Sequence, residues 1–215
     1  MDIKTLPLPD FFRKKYQSFA NLTPIQEKAV TAGLLQRKSL LVCAPTASGK
    51  TLVATMAMIN TLNQGKALYI VPLKALANEK YKEFQQLLEG TPFKVMMSTG
   101  DIDSDSEYLA NYNILVLTAE KLDSLLRHKV SWLADVKTVI IDEIHLLNDL
   151  NRGPTLEIII TLLKLLIQPQ LIGLSATIGN PKELAQWLEA ELVTDTWRPV
   201  ELKQGIHWQG KTEFY

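Results

Sequence analysis

A-P-T-A-S-G-K-T, residues 44–51, lies between two short apolar runs. A strand, a tight loop and a helix in this order are the context that a phosphate-binding loop requires, and the backbone N–H groups of such a loop point inward at phosphate oxygens. We expect Lys50 to reach the β- and γ-phosphates of a nucleoside triphosphate, and the Thr51 hydroxyl to ligate Mg²⁺. The first position of the usual G-x-x-x-x-G-K-[ST] pattern is Ala44, which fits if its φ is negative. The stretch predicts a nucleotide site in preference to a turn of small residues that binds nothing.

The composition is that of a globular protein, with 47% hydrophobic and 21% charged residues in a chain of 215. This length builds a sizeable core without disulfides, and Cys43, the only cysteine, is expected to be a buried, inert thiol. A cytoplasmic, reducing location fits, and neither a membrane span nor a signal peptide is expected. Basic and acidic residues balance at 23 each, so local groups would have to hold any nucleic acid.

Short apolar runs alternate with helical patterns along most of the chain. The predicted strands are 39–43, 67–71, 94–97, 113–117, 136–141 and 171–174, with short extended pieces at Val193 and 200–202. This alternation predicts an α/β fold, with a mostly parallel sheet covered by helices on both faces. We expect a lead-in segment over residues 1–20, one domain over 21–198, and the start of a linker over 199–215.

Polar clusters follow the six predicted strands of this sheet. They occupy residues 44–51, 72–74, 98–101, 118–121, 142–145 and 175–177. Because ligands bind at the carboxyl ends of parallel strands, all six clusters are expected to line one edge of the sheet. This convergence predicts a single working site.

Two neighbouring carboxylates follow the strand 136–141. Asp142 stands where a phosphate-loop enzyme needs an acidic residue for Mg²⁺, and Glu143 is placed to activate the water that attacks the γ-phosphate. A solvated acidic strand end is the alternative, and the phosphate loop disfavours it. His145 is expected to hydrogen-bond the 175–177 cluster, with a purely structural histidine as the alternative.

In order and rough spacing, the six clusters resemble motifs I, Ia, Ib, Ic, II and III of superfamily-two helicases. The matching segments are A-P-T-A-S-G-K-T, V-P-L-K-A-L, S-T-G-D, T-A-E-K, D-E-I-H and S-A-T. The variants D-E-I-H-L-L-N-D, R-G-P-T-L-E and G-L-S-A-T-I-G-N are similar to the Ski-like branch, and most of all to its archaeal DNA-repair helicases. The resemblance spans roughly residues 20–205 and implies a RecA-like P-loop NTPase fold, the first of two motor domains.

The resemblance assigns the chemistry of the nucleotide site residue by residue. Lys50 and Thr51 would hold phosphate and Mg²⁺. Asp142 would hold Mg²⁺ through water, and Glu143 would be the catalytic base, which makes Lys50, Asp142 and Glu143 the catalytic set. The implied cofactors are ATP and Mg²⁺, with further nucleotide contacts expected from Ala47, Ser48 and Gly49.

Two further sets of residues follow from the resemblance. Gln26 matches a glutamine whose amide reads the adenine edge, and the candidates for the aromatic that accompanies it are Phe11, Phe12 and Phe19. Independently, packing on the domain is the more ordinary role for these aromatics. The residues that would link the nucleotide site to strand movement are His145, Ser175 and Thr177.

A third set matches positions that grip a nucleic-acid backbone: Lys74, Thr99, Gly100, Thr118 and Lys121. Hydroxyls, backbone N–H groups at helix starts and an occasional lysine bind phosphates without reading bases. For Thr118 with Lys121, taken alone, ordinary helix capping explains the pattern equally well.

The implied function is ATP-dependent, 3′-to-5′ unwinding of DNA in repair or replication restart, by a monomeric protein acting on single-stranded or forked DNA. An RNA helicase of the same branch, or a binding module without catalysis, are the alternatives. The family's second RecA-like domain supplies arginine fingers, and about forty residues after Thr177 are too few for a domain of ~150 residues. We therefore expect weak or undetectable ATPase activity from these 215 residues.

Overall fold

The core of the protein is a parallel sheet. The computed structural model describes residues 1–19, 21–100, 106–176, 178–201 and 203–214. Within these residues, the strands of the main sheet are β1 Leu40–Cys43, β2 Lys66–Val71, β3 Val95–Ser98, β4 Ile114–Thr118, β5 Val136–Ile141, β6 Gln170–Ser175 and β7 Glu191–Thr194. They lie in the order β3-β4-β2-β5-β6-β1-β7, and every neighbouring pair is parallel. The predicted α/β class is confirmed.

Helices cover both faces of this sheet. They are α1 Asp10–Lys15, α2 Pro24–Thr31, α3 Lys50–Thr61, α4 Lys74–Leu87, α5 Ala119–Arg127, α6 Gly153–Leu166 and α7 Pro181–Leu188. Successive strand residues point to opposite faces, so Tyr69 enters the core under α2, α3 and α4, whereas Leu68 enters the core under α5, α6 and α7. Burial on both faces explains why the strands are continuous apolar runs.

The segment predicted as a lead-in is packed into the domain. Ile3 and Phe12 are fully buried and belong to the core under α2, α3 and α4. Phe12 therefore packs in the core of the domain, which is the more ordinary of the two roles considered for the aromatic residues of this segment. The segment leads into α2, which begins at Pro24 with Thr23 as its N-cap, as predicted.

The chain after β7 contains an element that the sequence did not predict. β8 Gly205–Trp208 and β9 Lys211–Phe214 form an antiparallel hairpin over part of the expected linker. Its apolar side chains are exposed, with Trp208 at 73%. The extended piece expected at Val193 is β7, which pairs with β1 and widens the main sheet. In the described part of the chain, no helix has the length and apolar character to cross a membrane.

Candidate nucleotide and nucleic-acid site

The carboxyl edge of the sheet brings the predicted clusters together. Because all neighbouring strands are parallel, the loops after β1 to β6 leave from the same edge. The strand order divides this edge into two halves. The loops predicted to contact nucleic acid follow β3, β4 and β2, and those predicted to contact nucleotide follow β5, β6 and β1. Asp101 and Thr177 lie outside the described residues, so the coupling role of Thr177 stays a prediction.

The phosphate-binding loop has the backbone shape that its sequence predicts. Ala47 and Gly49 adopt positive φ values of 64° and 99°, whereas Ala44 does not. Such left-handed residues turn successive N–H groups inward and form an anion-binding concavity. Ala44 is fully buried, and its N–H donates to the Ser175 carbonyl at 3.2 Å. A small residue is thus sufficient at the position where the usual pattern has glycine.

Lys50 lies folded over this loop. Its ammonium donates to the carbonyl oxygens of Ala44 at 2.6 Å and Pro45 at 3.0 Å. Burial lowers the Lys50 pKa, and the nearby carboxylates of Glu143 and Asp142 partly oppose that shift. The side chain is therefore within reach of both the loop and the acidic pair, and phosphate oxygens can replace the two carbonyls as its acceptors.

Gln26 supports the phosphate loop directly. Its Oε1 accepts the Thr23 N–H at 2.9 Å, and its Nε2 donates to the Gly49 carbonyl at 3.0 Å. A Cβ atom on Gly49 would lie 2.3 Å from Gln26 Nε2, so this contact needs glycine. The Thr23 hydroxyl adds a hydrogen bond to the Ser48 carbonyl at 2.8 Å. The adenine-reading role of Gln26 stays a prediction, since the two hydrogen bonds use one of the two Oε1 lone pairs and one of the two Nε2 hydrogens.

The three aromatic candidates lie in different environments. Phe12 is fully buried, and Phe11 packs beside Phe93 with ring centroids 6.1 Å apart. Phe19 is 60% exposed and lines a pocket of about 330 Å³ next to the phosphate loop. Tyr16 borders the same pocket, and burial, followed by the charge of Glu83, raises its pKa to about 12. The pocket is also lined by Thr23, Gln26, Ala47, Gly49 and Thr51. Among the three candidates, Phe19 alone lines this pocket.

The two groups predicted to hold Mg²⁺ each have a partner that sequence reasoning missed. The Tyr69 hydroxyl donates to Asp142 Oδ2 at 2.8 Å, and Lys80 Nζ lies 3.5 Å from Thr51 Oγ1. Burial, and then the Asp142 charge, raise the Tyr69 pKa well above its ordinary value, which keeps the hydroxyl protonated. The sequence does indicate that Lys80 is buried, because Lys80 lies at helical spacing from Ala77, Phe84 and Leu87, the other buried residues of α4.

Glu143 occupies a turn of unusual backbone shape. Its φ is 51°, in the left-handed region that residues other than glycine seldom adopt, and such residues concentrate at functional sites. Its Oε2 lies 3.3 Å from His145 Nδ1. The turn therefore presents the Glu143 carboxylate beside His145, immediately after Asp142.

Two buried hydroxyl oxygens at this edge, Ser48 Oγ and Ser175 Oγ, have no hydrogen-bond partner among the described residues, and the contact of buried His145 Nδ1 with Glu143 Oε2 at 3.3 Å lacks hydrogen-bond geometry. Buried polar groups without partners are rare in proteins, so they mark places where a ligand or a moving group completes the site. Within the same residues, no hydrogen bond joins His145 to Ser175, and their coupling stays a prediction. Together with the loop amides, Lys50 and the Asp142 carboxylate, these atoms form a donor and acceptor set that fits ATP with Mg²⁺.

The predicted nucleic-acid residues divide into surface and interior positions. Lys74 and Gly100 are exposed, and no atom lies within 4 Å of a Cβ built on Gly100. Thr99 is half-buried. Thr118 and Lys121 are buried, and the Thr118 hydroxyl accepts the Lys121 N–H at 3.4 Å as the N-cap of α5. Helix capping by Thr118 thus accounts for the observed geometry of this pair. Contact of Thr118 and Lys121 with nucleic acid stays a prediction.

Comparison with known protein families identifies one that covers most of the chain. Residues 23–184 match the DEAD/DEAH box helicase family. The ATP-dependent DNA helicase Hel308 of Pyrococcus abyssi is 56% identical over 191 residues, which cover 88% of this chain and 26% of that protein. Its counterpart in Methanocaldococcus jannaschii is 54% identical over 201 residues, 90% of this chain and 17% of that protein. The chain thus spans roughly a quarter or less of these relatives.

Solved structures give the same answer for the fold. The helicase Lhr of Mycobacterium smegmatis, in a structure bound to single-stranded DNA and AMP-PNP, superposes with a TM-score of 0.75 at 30% identity. The match covers 92% of this chain and 28% of that chain. The DUF1998 helicase MrfA bound to DNA gives a TM-score of 0.75 at 25% identity, covering 91% of this chain and 31% of that chain.

Proposed function

Because the chain belongs to the DEAD/DEAH box helicase family, we propose that it is the first RecA-like motor domain of an ATP-dependent DNA helicase. One observation carries the proposal. The phosphate loop 44–51, the pair Asp142 and Glu143, and the unpartnered Ser175 hydroxyl converge at one half of a single sheet edge. The exposed Lys74 and Gly100 belong to loops of the other half. A motor that moves along nucleic acid needs a nucleotide site and a nucleic-acid-binding surface next to each other.

The residues of the nucleotide half have separate tasks in this proposal. Loop amides and Lys50 would bind the phosphates, and Thr51 and Asp142 would hold Mg²⁺, which would neutralise the charge of the phosphate oxygens. Glu143 orients the attacking water and accepts its proton. Ser175 and His145 respond to the nucleotide in this proposal, because the Ser175 hydroxyl has no partner among the described residues and His145 Nδ1 lies 3.3 Å from Glu143 Oε2.

The nucleic-acid half is proposed to hold single-stranded or forked DNA by its backbone. Lys74, Thr99 and Gly100 offer a charge, a hydroxyl and an unobstructed backbone, and none of these reads base identity. Unwinding with 3′-to-5′ polarity, a role in repair, a monomeric state and a cytoplasmic location are further parts of the proposal. The names of the relatives support DNA helicase activity alone. The polarity and the repair role come from the resemblance of the motifs, and the cytoplasmic location is the expectation drawn from the single cysteine.

Replacing Phe19 by alanine is expected to weaken binding of a fluorescent ATP analogue about 5- to 30-fold, since aromatic stacking on a base contributes on the order of 1–2 kcal/mol. Binding of inorganic triphosphate, which has no base, should not change. Phe214→Ala removes an equally exposed phenyl ring from the hairpin and serves as the matched control. Equal loss for both ligands, or no loss for either, would remove Phe19 from the adenine pocket.

DNA is distinguished from RNA by comparing how each stimulates ATP hydrolysis in a version that carries both motor domains. We expect single-stranded DNA to stimulate turnover more strongly than RNA of the same sequence. Stronger stimulation by RNA would favour the alternative of an RNA helicase from the same branch. If neither stimulates, the remaining alternative is a nucleotide-binding module without a motor function.

A further inference from the structure

The Asp142 carboxylate is hydrogen-bonded at both oxygens by the protein itself. The Tyr69 hydroxyl donates to Oδ2 at 2.8 Å, and the Glu143 N–H donates to Oδ1 at 3.0 Å. The first donor belongs to the neighbouring strand β2 and the second to the turn after β5. Because a carboxylate has about four acceptor sites, the two bonds fix its orientation and leave sites for a metal-bound water.

Tyr69 lies in the closely packed core of the domain. It is fully buried in the middle of β2, where it pairs with Ile140 of β5, and its ring lies 5.3 Å from the ring of Phe84 in α4. A side chain held on several sides has little freedom to follow a carboxylate that moves. The hydroxyl therefore sets the position of Asp142, and not the reverse.

The bond between Tyr69 and Asp142 crosses the boundary between the two halves of the edge. β2 leads into loop 72–74 of the nucleic-acid half, whereas β5 leads into the carboxylates of the nucleotide half. The helix that follows loop 72–74 supplies Lys80, whose Nζ lies 3.5 Å from Thr51 Oγ1. The segment from β2 to α4 thus contacts both side chains that are proposed to hold the metal.

We propose that Tyr69 is a positioning residue for the Mg²⁺ that accompanies ATP: its hydroxyl fixes Asp142 in the orientation that receives the metal-bound water. The inference rests on the proposed function of this site. Partners of metal-site residues that are themselves not ligands typically change metal affinity about 10- to 100-fold when removed. Tyr69→Phe removes the hydroxyl and keeps the buried ring, so it isolates this contribution.

The test is a titration of a fluorescent ATP analogue onto the 215-residue chain at a series of Mg²⁺ concentrations and in EDTA. In Tyr69→Phe, the Mg²⁺ concentration for half-maximal binding is expected to rise about tenfold. Binding in EDTA is expected to match the wild type, because no metal contact is then involved. In an Asp142→Asn background, the same substitution should have no further effect on the Mg²⁺ dependence.

Tyr108→Phe is the matched control, since this tyrosine is exposed and lies at an edge-to-face angle to Tyr112. An unchanged Mg²⁺ dependence in Tyr69→Phe would overturn the inference while leaving the proposed function intact. A loss of binding in EDTA as well would assign the effect to core packing and also overturn it. If the wild type itself shows no Mg²⁺-dependent binding, the proposed function fails and the inference fails with it.

Discussion

Lys50→Ala is expected to weaken binding of ATP to this chain about 10- to 100-fold, because a charge-assisted hydrogen bond contributes on the order of 1.5–3 kcal/mol. Lys50 Nζ lies over the phosphate loop, on the carbonyls of Ala44 and Pro45. It can pass to phosphate oxygens without a change in the loop backbone. Titration of a fluorescent ATP analogue onto both proteins measures the effect.

The control for this experiment is Lys182→Ala, which removes an exposed lysine from the first turn of α7. It should bind the analogue as the wild type does. Melting temperatures of both variants separate loss of the site from loss of the fold. Identical affinities for Lys50→Ala and the wild type would remove the nucleotide-site hypothesis, and with it the rest of the proposed function.

ATP turnover by these 215 residues is expected to be about 10³- to 10⁵-fold slower than turnover by the same residues joined to a second RecA-like domain. That is the rate effect typical of an arginine finger in phosphoryl transfer. Within the described residues, the charged groups around Lys50 that influence its pKa include one arginine, Arg198, in the exposed segment after β7. The resemblance to helicases with two motor domains leads us to expect that the arginine that stabilises the transition-state charge comes from the second domain.

Measurement requires both versions in one assay, with saturating ATP and single-stranded DNA. A two-domain version whose finger arginine is replaced by alanine is the matched control, and it should fall to the rate of the 215-residue chain. Comparable turnover by the 215-residue chain and the complete two-domain version would show that this domain hydrolyses ATP without a second domain, and would contradict the expectation.

Much of the fold is predictable from the sequence because the strands are buried on both faces. β1, β2 and β5 are mostly apolar runs flanked by helical patterns, and each is recovered within about two residues, the usual uncertainty of helix and strand ends. The site is predictable for the same reason. In a parallel sheet, the residue that follows a strand lies at the ligand edge, so the local sequence around Asp142 and Lys50 is sufficient to locate both residues there.

The contacts between elements are less predictable, since they depend on strand order. Nothing in the local sequence shows that β2 neighbours β5, which is what brings Tyr69 to Asp142. Gln26 matches a known motif, and its hydrogen bond to Thr23 is the local capping box of α2, whereas its hydrogen bond to Gly49 follows only from the packing of α2 against the loop. The hairpin β8–β9 was missed because its exposed, mixed sequence lacks the periodicity of a buried strand.

In the proposed function, the phosphate loop of this domain holds ATP with Mg²⁺ beside Asp142. A crystal structure of the 215-residue chain with Mg²⁺ and a non-hydrolysable ATP analogue tests it most directly. We expect phosphates against the loop amides, with Lys50 Nζ moved from the Ala44 and Pro45 carbonyls onto phosphate oxygens and the metal between Thr51 and Asp142. An analogue bound elsewhere, or one bound at the loop while Lys50 stays on those carbonyls, would contradict the claim.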